Sequence, residues 1–488
     1  MAILSFRQDF NHRSADCISW VRRRLGASAR SCDSSRAQSL RRGLFLSTSL
    51  RHRSQKLLAI DYLSDNFVNT LKSNVPEIGS LGLSPLPGIE ERPGALVTGS
   101  DYRGLGILRS LGRHGIPVWV LEKGEQRLAG LSRYAKRSLR CVAESDAALV
   151  EFLVELAQEH GLQGWVLFPT DDELVGLVAR NHDSLSKRFR LTTPPWSEIE
   201  CVCNKRLLHR LAMELKIEQP RTFCPQSRRE LAEIEYPFPV IVKPALREGL
   251  NKVTAKKAWL AEDRDSLLKY YDLACSLVCP ELVLIQEVVP GWGEAQFSYA
   301  ALCSGGKPVA SVVARRARQF PMDFGRFSTY VESVEESGIV GPSVRLINAI
   351  RFTGLIEIEF KRDRRDGGFK LLDVNPRVWG WHTLGERAGV DFSYLLWRLT
   401  LGDAIPELRG KSGVRWVRMS TDFPTASLEI LRGRLTLRDY LRSMRGPIEQ
   451  AIFALDDPLP GMLEVPLLAR LLAKRLLRAF PWCSRGGV

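Results

Sequence analysis

Two short runs close together decide the fold: Ile356-Glu-Ile-Glu-Phe360 and Leu371-Leu-Asp373-Val-Asn375-Pro-Arg377, separated by the turn Asp366-Gly367-Gly368. Each run alternates apolar and polar residues with the period of a strand, and Asp-Gly between alternating runs is a hairpin signal. Successive strand side chains point to opposite faces, so Glu357 and Glu359 share one face, as do Asp373 and Asn375. Pairing the strands sets oxygen donors opposite one another. Carboxylates and an amide oxygen are the hard donors that Mg²⁺ takes, with phosphate oxygens and water completing its shell. The same pattern also describes an edge hairpin whose acids face water.

Working outward, two lysines bear on that choice. Lys243 ends the apolar run Val240-Ile-Val, where a lone lysine would snorkel to solvent. Lys205 opens a predicted helix to about Leu215, where a cation opposes the helix dipole. Both positions suit an anion such as a triphosphate, and Gly249 in the following loop would let backbone amides approach it. No GxxxxGK[ST] occurs, so this is not a P-loop.

The order Asn204-Lys205, Val240-Ile-Val-Lys-Pro244, Ile285-Gln-Glu-Val-Val-Pro-Gly291, Glu294, Ile358-Glu-Phe360 and Asp373-Val-Asn-Pro-Arg377 resembles the ATP-grasp superfamily, and within it the carboxylate–amine ligases. It is similar to D-alanine–D-alanine ligase and carbamoyl-phosphate synthetase in the order of its motifs. The resemblance covers roughly residues 94–400. It implies an α/β and α+β architecture: a Rossmann-like pre-ATP-grasp domain followed by a two-subdomain ATP-grasp fold. It further implies an ATP- and Mg²⁺-dependent ligase, with Mn²⁺ able to substitute, that joins small-molecule carboxylates to amines through an acyl phosphate.

Carried over position by position, Lys205 and Lys243 would contact phosphates. Gln286, Glu287 and Val289 would line adenine, and Glu294 would hold the ribose hydroxyls. Glu359, Asp373 and Asn375 would be the metal ligands. The family commonly has Glu where this chain has the shorter Asp373. Arg377 would offset charge at the transferred phosphoryl group. Arg318, in the run Ala314-Arg-Arg-Ala-Arg318, is a candidate for the substrate carboxylate or acyl phosphate, because arginine forks suit both. Trp379 and Trp381 either wall an acceptor pocket or pack as core, and His382 is a candidate base for an incoming amine.

Residues 94–195 alternate strand and helix from Ala95 to Thr98 onward, which predicts a mainly parallel sheet covered on both faces. Gly99, Gly104 and Gly106 lie at its first turn without the spacing GxGxxG, and Glu122 stands where a dinucleotide fold places its ribose acid. An NAD-dependent oxidoreductase is thus a competing reading, as is a non-catalytic nucleotide-binding regulator. The oxidoreductase reading leaves Lys243 and the Asp-Val-Asn-Pro-Arg stretch without a role.

The net charge of +15 is unevenly spread: residues 1–56 hold twelve Lys/Arg against three Asp, which leaves +6 for the remainder. Residues 1–90 are rich in Arg and Ser and are expected to be a disordered extension and linker or an organellar transit peptide. No zinc-finger, RNA-recognition or helix-turn-helix signature occurs, and no nucleic-acid partner is expected. Ten cysteines without a CxxC pair read as small buried hydrophobes in a reducing compartment, the cytoplasm. The segments expected after the extension are thus 94–195, 196–400 (the ATP-grasp domain) and a C-terminal extension, 401–488. Near its end, Arg470, Lys474 and Arg478 repeat every four residues among leucines. That is a basic amphipathic helix, able to lie on an anionic membrane as a peripheral contact, bind a partner or pack on the protein itself.

Overall fold

The computed structural model describes residues 92–479 apart from 124–126, 142, 246–257, 292, 321, 323–324 and 326, with backbone alone for 470–479. The expectations for residues 1–90 and Gly249, and for the side chains of Arg470, Lys474 and Arg478, lie outside the described residues.

The chain resolves into two units. In the smaller, the described residues are 224–235 and 263–283. They form two helices, Arg228–Glu233 and Arg264–Leu277, each begun by a side-chain cap. The second carries a capping box, in which Asp263 and Ser266 satisfy each other's backbone amides. Arg264 ties the pair together by donating to the carbonyls of Ala232 and Ile234.

The larger unit contains three sheets. The first has strands β1 (Ala95–Thr98), β2 (Val118–Glu122), β3 (Ala135–Arg140), β4 (Val166–Pro169) and β5 (Arg190–Leu191), all parallel, in the order β3-β2-β1-β4-β5. Its helices are α1 (Tyr102–Arg113), α2 (Asp146–Glu159) and α3 (Asp172–Arg180). Alternation in β1 explains the coverage. Ala95 and Val97 join the core that holds α1, while Leu96 joins the opposite core, which holds leucines of α2 and α3. Helix α1 begins at Tyr102 because Asp101 caps it through the amides of Arg103 and Gly104. Gly104 has to be glycine: a Cβ there would sit 2.0 Å from the carbonyl oxygen of Gly99.

A small sheet follows, from β6 (Thr222–Phe223), β7 (Val240–Pro244), β8 (Trp259–Ala261) and β9 (Val283–Glu287), in the order β6-β9-β7-β8. Strand β7 starts at Val240, past Pro237 and Pro239, which lack an N–H for the ladder. The third sheet is built on β10 (Gln296–Ser304), β11 (Lys307–Phe320), β12 (Phe327–Ser333), β13 (Gly354–Arg362) and β14 (Phe369–Asn375). These five run antiparallel in the order β14-β13-β10-β11-β12. Both faces are covered: Ala300, Leu302 and Leu355 join one core, and Tyr299, Ile356 and Ile358 the other. Residues after 400 extend this sheet. Strand β15 (Leu408–Arg409) pairs with β11, β16 (Arg415–Val417) with β12, and β17 (Ile448–Gln450) with β16.

Candidate active site

The decisive hairpin forms as its sequence requires. The turn closes when the Gly367 amide donates to the Asp363 carbonyl at 2.7 Å and the Asp363 amide to the Gly368 carbonyl at 2.8 Å. Gly367 supplies the positive φ, +74°. The resulting register sets Glu357 opposite Asn375 and Glu359 opposite Asp373, so four oxygen-bearing side chains lie on two rungs of the β13–β14 ladder. A register irregularity follows at Glu359/Phe360, past the acidic rungs.

Asn375 is fixed by both glutamates. Its Nδ2 donates to Glu357 at 3.2 Å and to Glu359 at 2.9 Å, which turns its carbonyl oxygen to the Arg377 guanidinium at 3.3 Å. Glu357 is buried and also accepts from Ser298 Oγ and from Trp381 Nε1, each at 3.0 Å. Burial, with the charge of Glu359 beside it, pushes the Glu357 carboxyl up to about 7. Glu359 accepts from Gln296 at 2.7 Å.

Cations surround these acids. Arg316 lies 3.3 Å from Glu359 and 3.8 Å from Glu357. Burial opposes its charge, but the two glutamates outweigh burial and hold its pKa above the usual value. The same balance holds for Arg377, whose strongest partner is Asp172, met by both arms of its guanidinium fork. Lys205 makes an ion pair with Asp373, and its backbone amide donates to the Ala245 carbonyl at 3.1 Å. Asn204 caps the helix that Lys205 opens, α4 (Lys205–Glu214).

On the small sheet, Lys243 donates to Gln286 Oε1 at 2.7 Å, and Gln286 donates onward to Thr222 at 2.9 Å. Glu287 is held by Arg365 at 2.5 Å and by the Arg221 amide at 3.1 Å, while Val289 is buried. Glu294 is half-exposed and pairs with Arg364 at 2.5 Å.

Lys205, Glu359, Asp373, Asn375 and Arg377 are therefore brought into one contact network. Arg318 is not. Strict alternation along β11 would put Arg316 and Arg318 on one face, but the register breaks between Arg315 and Arg318. Arg318 instead forms a double hydrogen bond to the fully buried Asp422, with its guanidinium 4.0 Å from the Tyr330 ring centroid. His382 also lies elsewhere. It is buried, its Nδ1 is 3.0 Å from the Trp379 carbonyl, and a Cβ added at Gly106 of α1 would sit 2.7 Å from its Nε2. Burial lowers its pKa to about 4, so the ring is neutral and has no open path to an incoming amine. Trp379 packs edge-on against Phe392, and Trp381 serves Glu357.

The sequence offers Arg316 only as one of three arginines in the run 314–318, and sequence reasoning passed over Gln296, Asp172 and the central place of Glu357. The signal for Glu357 was present, since it shares the face of Glu359. Those for Gln296 and Asp172 depend on strand pairing and packing across 63 and 205 residues. Glu122, the acid that the dinucleotide reading needs, accepts from Ser138 at 2.6 Å and is crowded by Gly130, where a Cβ would sit 2.0 Å away.

The donor set of Glu359, Asp373 and Asn375 fits Mg²⁺ held jointly with a nucleotide. Mg²⁺ binds through one or two carboxylates plus substrate phosphates rather than in an all-protein cage. Among the described residues no group of three or more His, Cys, Asp and Glu is arranged to hold a metal.

Residues 283–420 match the family described as "ATP-grasp in the biosynthetic pathway with Ter operon". The chain is 22% identical over 261 residues to a D-aspartate ligase of Enterococcus faecium, covering 48% of this chain and 59% of the relative. It is 24% identical over 194 residues to the N-terminal section of a carbamoyl phosphate synthase large chain of Methanopyrus kandleri, covering 38% and 33%. It therefore spans less than two thirds of either relative. Among solved structures, the biotin carboxylase domain of Hydrogenobacter thermophilus 2-oxoglutarate carboxylase, determined with MgADP, superposes with a TM-score of 0.53 at 14% identity, over 66% of this chain and 74% of that one. Biotin carboxylase from Campylobacter jejuni gives 0.51 at 15% identity, over 64% and 72%. With its ordered motifs, its hairpin of paired acids and these likenesses, the chain resembles the ATP-grasp superfamily and, within it, the carboxylate–amine ligases.

Proposed function

We propose that this protein is an ATP- and Mg²⁺-dependent ligase that joins a carboxylate to an amine through an acyl phosphate, releasing ADP and phosphate. The observation that carries this is the β13–β14 register, which gathers Glu357, Glu359, Asp373 and Asn375 beneath Lys205, Arg316 and Arg377. In this reading the five-stranded parallel sheet is the pre-ATP-grasp domain.

A free carboxylate is a poor electrophile, because its charge is delocalised and it has no leaving group. Attack by its oxygen on the γ-phosphorus breaks the bond to ADP and gives a mixed anhydride. The amine nitrogen then adds to the acyl carbon, phosphate departs, and the nitrogen loses a proton. Mg²⁺, held by Glu359, Asp373 and Asn375, would neutralise phosphate charge. Lys205, paired with Asp373 in this structure, and Lys243 would bind phosphate oxygens. Gln286, Glu287 and Val289 would line the base and Glu294 the ribose. Arg377, aimed by Asp172, and Arg316 would stabilise charge on the phosphoryl group in flight, a positioning role that needs no proton transfer.

The D-aspartate ligase relative supports an amino acid as one of the two substrates. The test is ADP release by the full chain in matched mixtures of amino acids and small carboxylates, with calorimetric titration of ATP and Mg²⁺. The expected result is tight Mg·ATP binding and ADP release that needs both acid and amine. A folded protein that binds no nucleotide sinks the reading; nucleotide binding without turnover in any mixture favours a regulator.

A further inference from the structure

Among the described residues, exposed large apolar side chains are not scattered: ten of fourteen fall within residues 419–465. Helix α5 (Met419–Leu431) shows why. Its inward side carries Asp422, Thr425 and Glu429, and its outward side carries Met419, Phe423, Leu428 and Leu431, with Leu431 85% exposed. This reverses the usual amphipathic arrangement. The helix is held this way round by Asp422, which is locked to Arg318 and Thr329 of the third sheet.

The apolar face continues. Met419 and Phe423 line a cleft of about 380 Å³ together with Ile452, Phe453 and Val465, the last on helix α7 (Leu459–Ala479). The intervening helix α6 (Leu437–Ser443) exposes Leu437 and Leu441. Exposed apolar side chains gathered about a cleft in this way mark an interaction site.

Charge identifies the occupant. Exposed on this face are Arg432, Arg434, Arg438, Arg442 and Arg445 against two exposed acids, Asp439 and Asp456. The sequence of α7 from residue 466 onward holds four basic residues and no acid. A second copy docked on the same face would set one net-basic face against another. An anionic bilayer surface takes the leucines and phenylalanines among its acyl chains and the arginines at its headgroups. Among the described residues no helix is long and apolar enough to cross a membrane, so contact would be from one side.

We propose that the face formed by residues 419–465, continued by α7, is a peripheral docking surface for anionic lipid bilayers. The inference does not rest on the ligase reading. It is tested by flotation of the full chain with phosphatidylcholine vesicles and with mixed phosphatidylcholine–phosphatidylglycerol vesicles, beside sizing of the chain over a range of concentrations. The wild type is expected to float with the mixed vesicles only. F423E/L431E, altered at exposed positions, should lose at least about tenfold in partitioning, and R438Q/R442Q roughly fivefold per arginine. If F423E/L431E and R438Q/R442Q both float as well as the wild type, the binding comes from elsewhere, such as the basic residues 1–56, and the proposal fails. It fails equally if vesicles are ignored and the chain forms a dimer that F423E/L431E dissolves, which would assign the face to a second copy, or if it neither floats nor dimerises.

Discussion

Replacing Glu357 tests whether the buried carboxylate holds the site together. Its two oxygens accept from Ser298, Trp381 and Asn375 at 3.0, 3.0 and 3.2 Å, all away from solvent. In E357L the leucine fills similar volume and accepts nothing. Trp381 Nε1 and the Ser298 hydroxyl lose their acceptor, while Asn375 keeps its bond to Glu359. Each buried donor left unmet costs about 1–3 kcal/mol, so two fully orphaned donors and one weakened donor give a loss of roughly 3–6 kcal/mol. E357Q keeps one acceptor oxygen for Trp381 and Ser298 but turns an amine toward the Asn375 amine. That single conflict should cost about 1–3 kcal/mol, and Asn375 would relieve it by flipping its carbonyl away from Arg377. The assay is urea unfolding of wild type, E357Q and E357L, followed by Mg²⁺ titration of nucleotide binding in E357Q. Stability should fall in the order wild type, E357Q, E357L, and E357Q should need more Mg²⁺ for the same nucleotide affinity. An E357L protein within 1 kcal/mol of wild type, or an unchanged Mg²⁺ requirement in E357Q, would refute the reasoning.

Other predictions concern the groups around that centre. Lys205→Met removes the partner of Asp373 and a phosphate-binding cation. Calorimetry should find nucleotide affinity reduced at least about tenfold, the loss of one charge-assisted hydrogen bond. Asp422→Ala strands the buried Arg318 and should cost about 3–5 kcal/mol. R318M/D422L, which removes both charges, should recover most of that in urea unfolding and keep ADP release, whereas a substrate-binding Arg318 would abolish turnover in the pair variant. His382 is held neutral down to about 4 by burial, against 6.5 as its ordinary value. Between those values the unfolded chain binds the extra proton, so this group's stability is present above 6.5 and lost as pH falls toward 4. The displacement is worth up to about 3 kcal/mol. Glu357 and Glu386, both raised to about 7, act with the opposite sign over part of the window. The measurement is therefore the difference in pH dependence between wild type and H382Q. Identical slopes would show that His382 does not titrate in this way.

The sequence by itself determined the local elements that depend on short-range pattern. The hairpin 354–375 was legible because period-two alternation and an Asp-Gly turn need no distant partner, and they fix which residues share a face. The helix from Lys205 and the strand ending near Lys243 were legible for the same reason. So was the parallel first sheet, whose strand–helix alternation leaves few topologies. Ordered motifs then carried the family, since no single one is specific.

Only the tertiary structure decided which charged residue meets which. Arg316 and Arg318 are equivalent in any pattern of period two; a break in the β11 register sends one to Glu359 and the other to Asp422. His382 follows the Arg377 motif closely in sequence, yet packing against Gly106 and the Trp379 carbonyl buries it as a neutral ring. Asp172 reaches Arg377 from another sheet's helix, 205 residues away. Electrostatic pairing depends on distance and burial, which are properties of the packed chain. A periodicity can place a side chain on a face, but it cannot say what stands opposite. The outward leucines of 419–465 make the same point: α5 turns them out because Asp422 is locked inside by Arg318, 104 residues away, a partner that the local sequence does not identify.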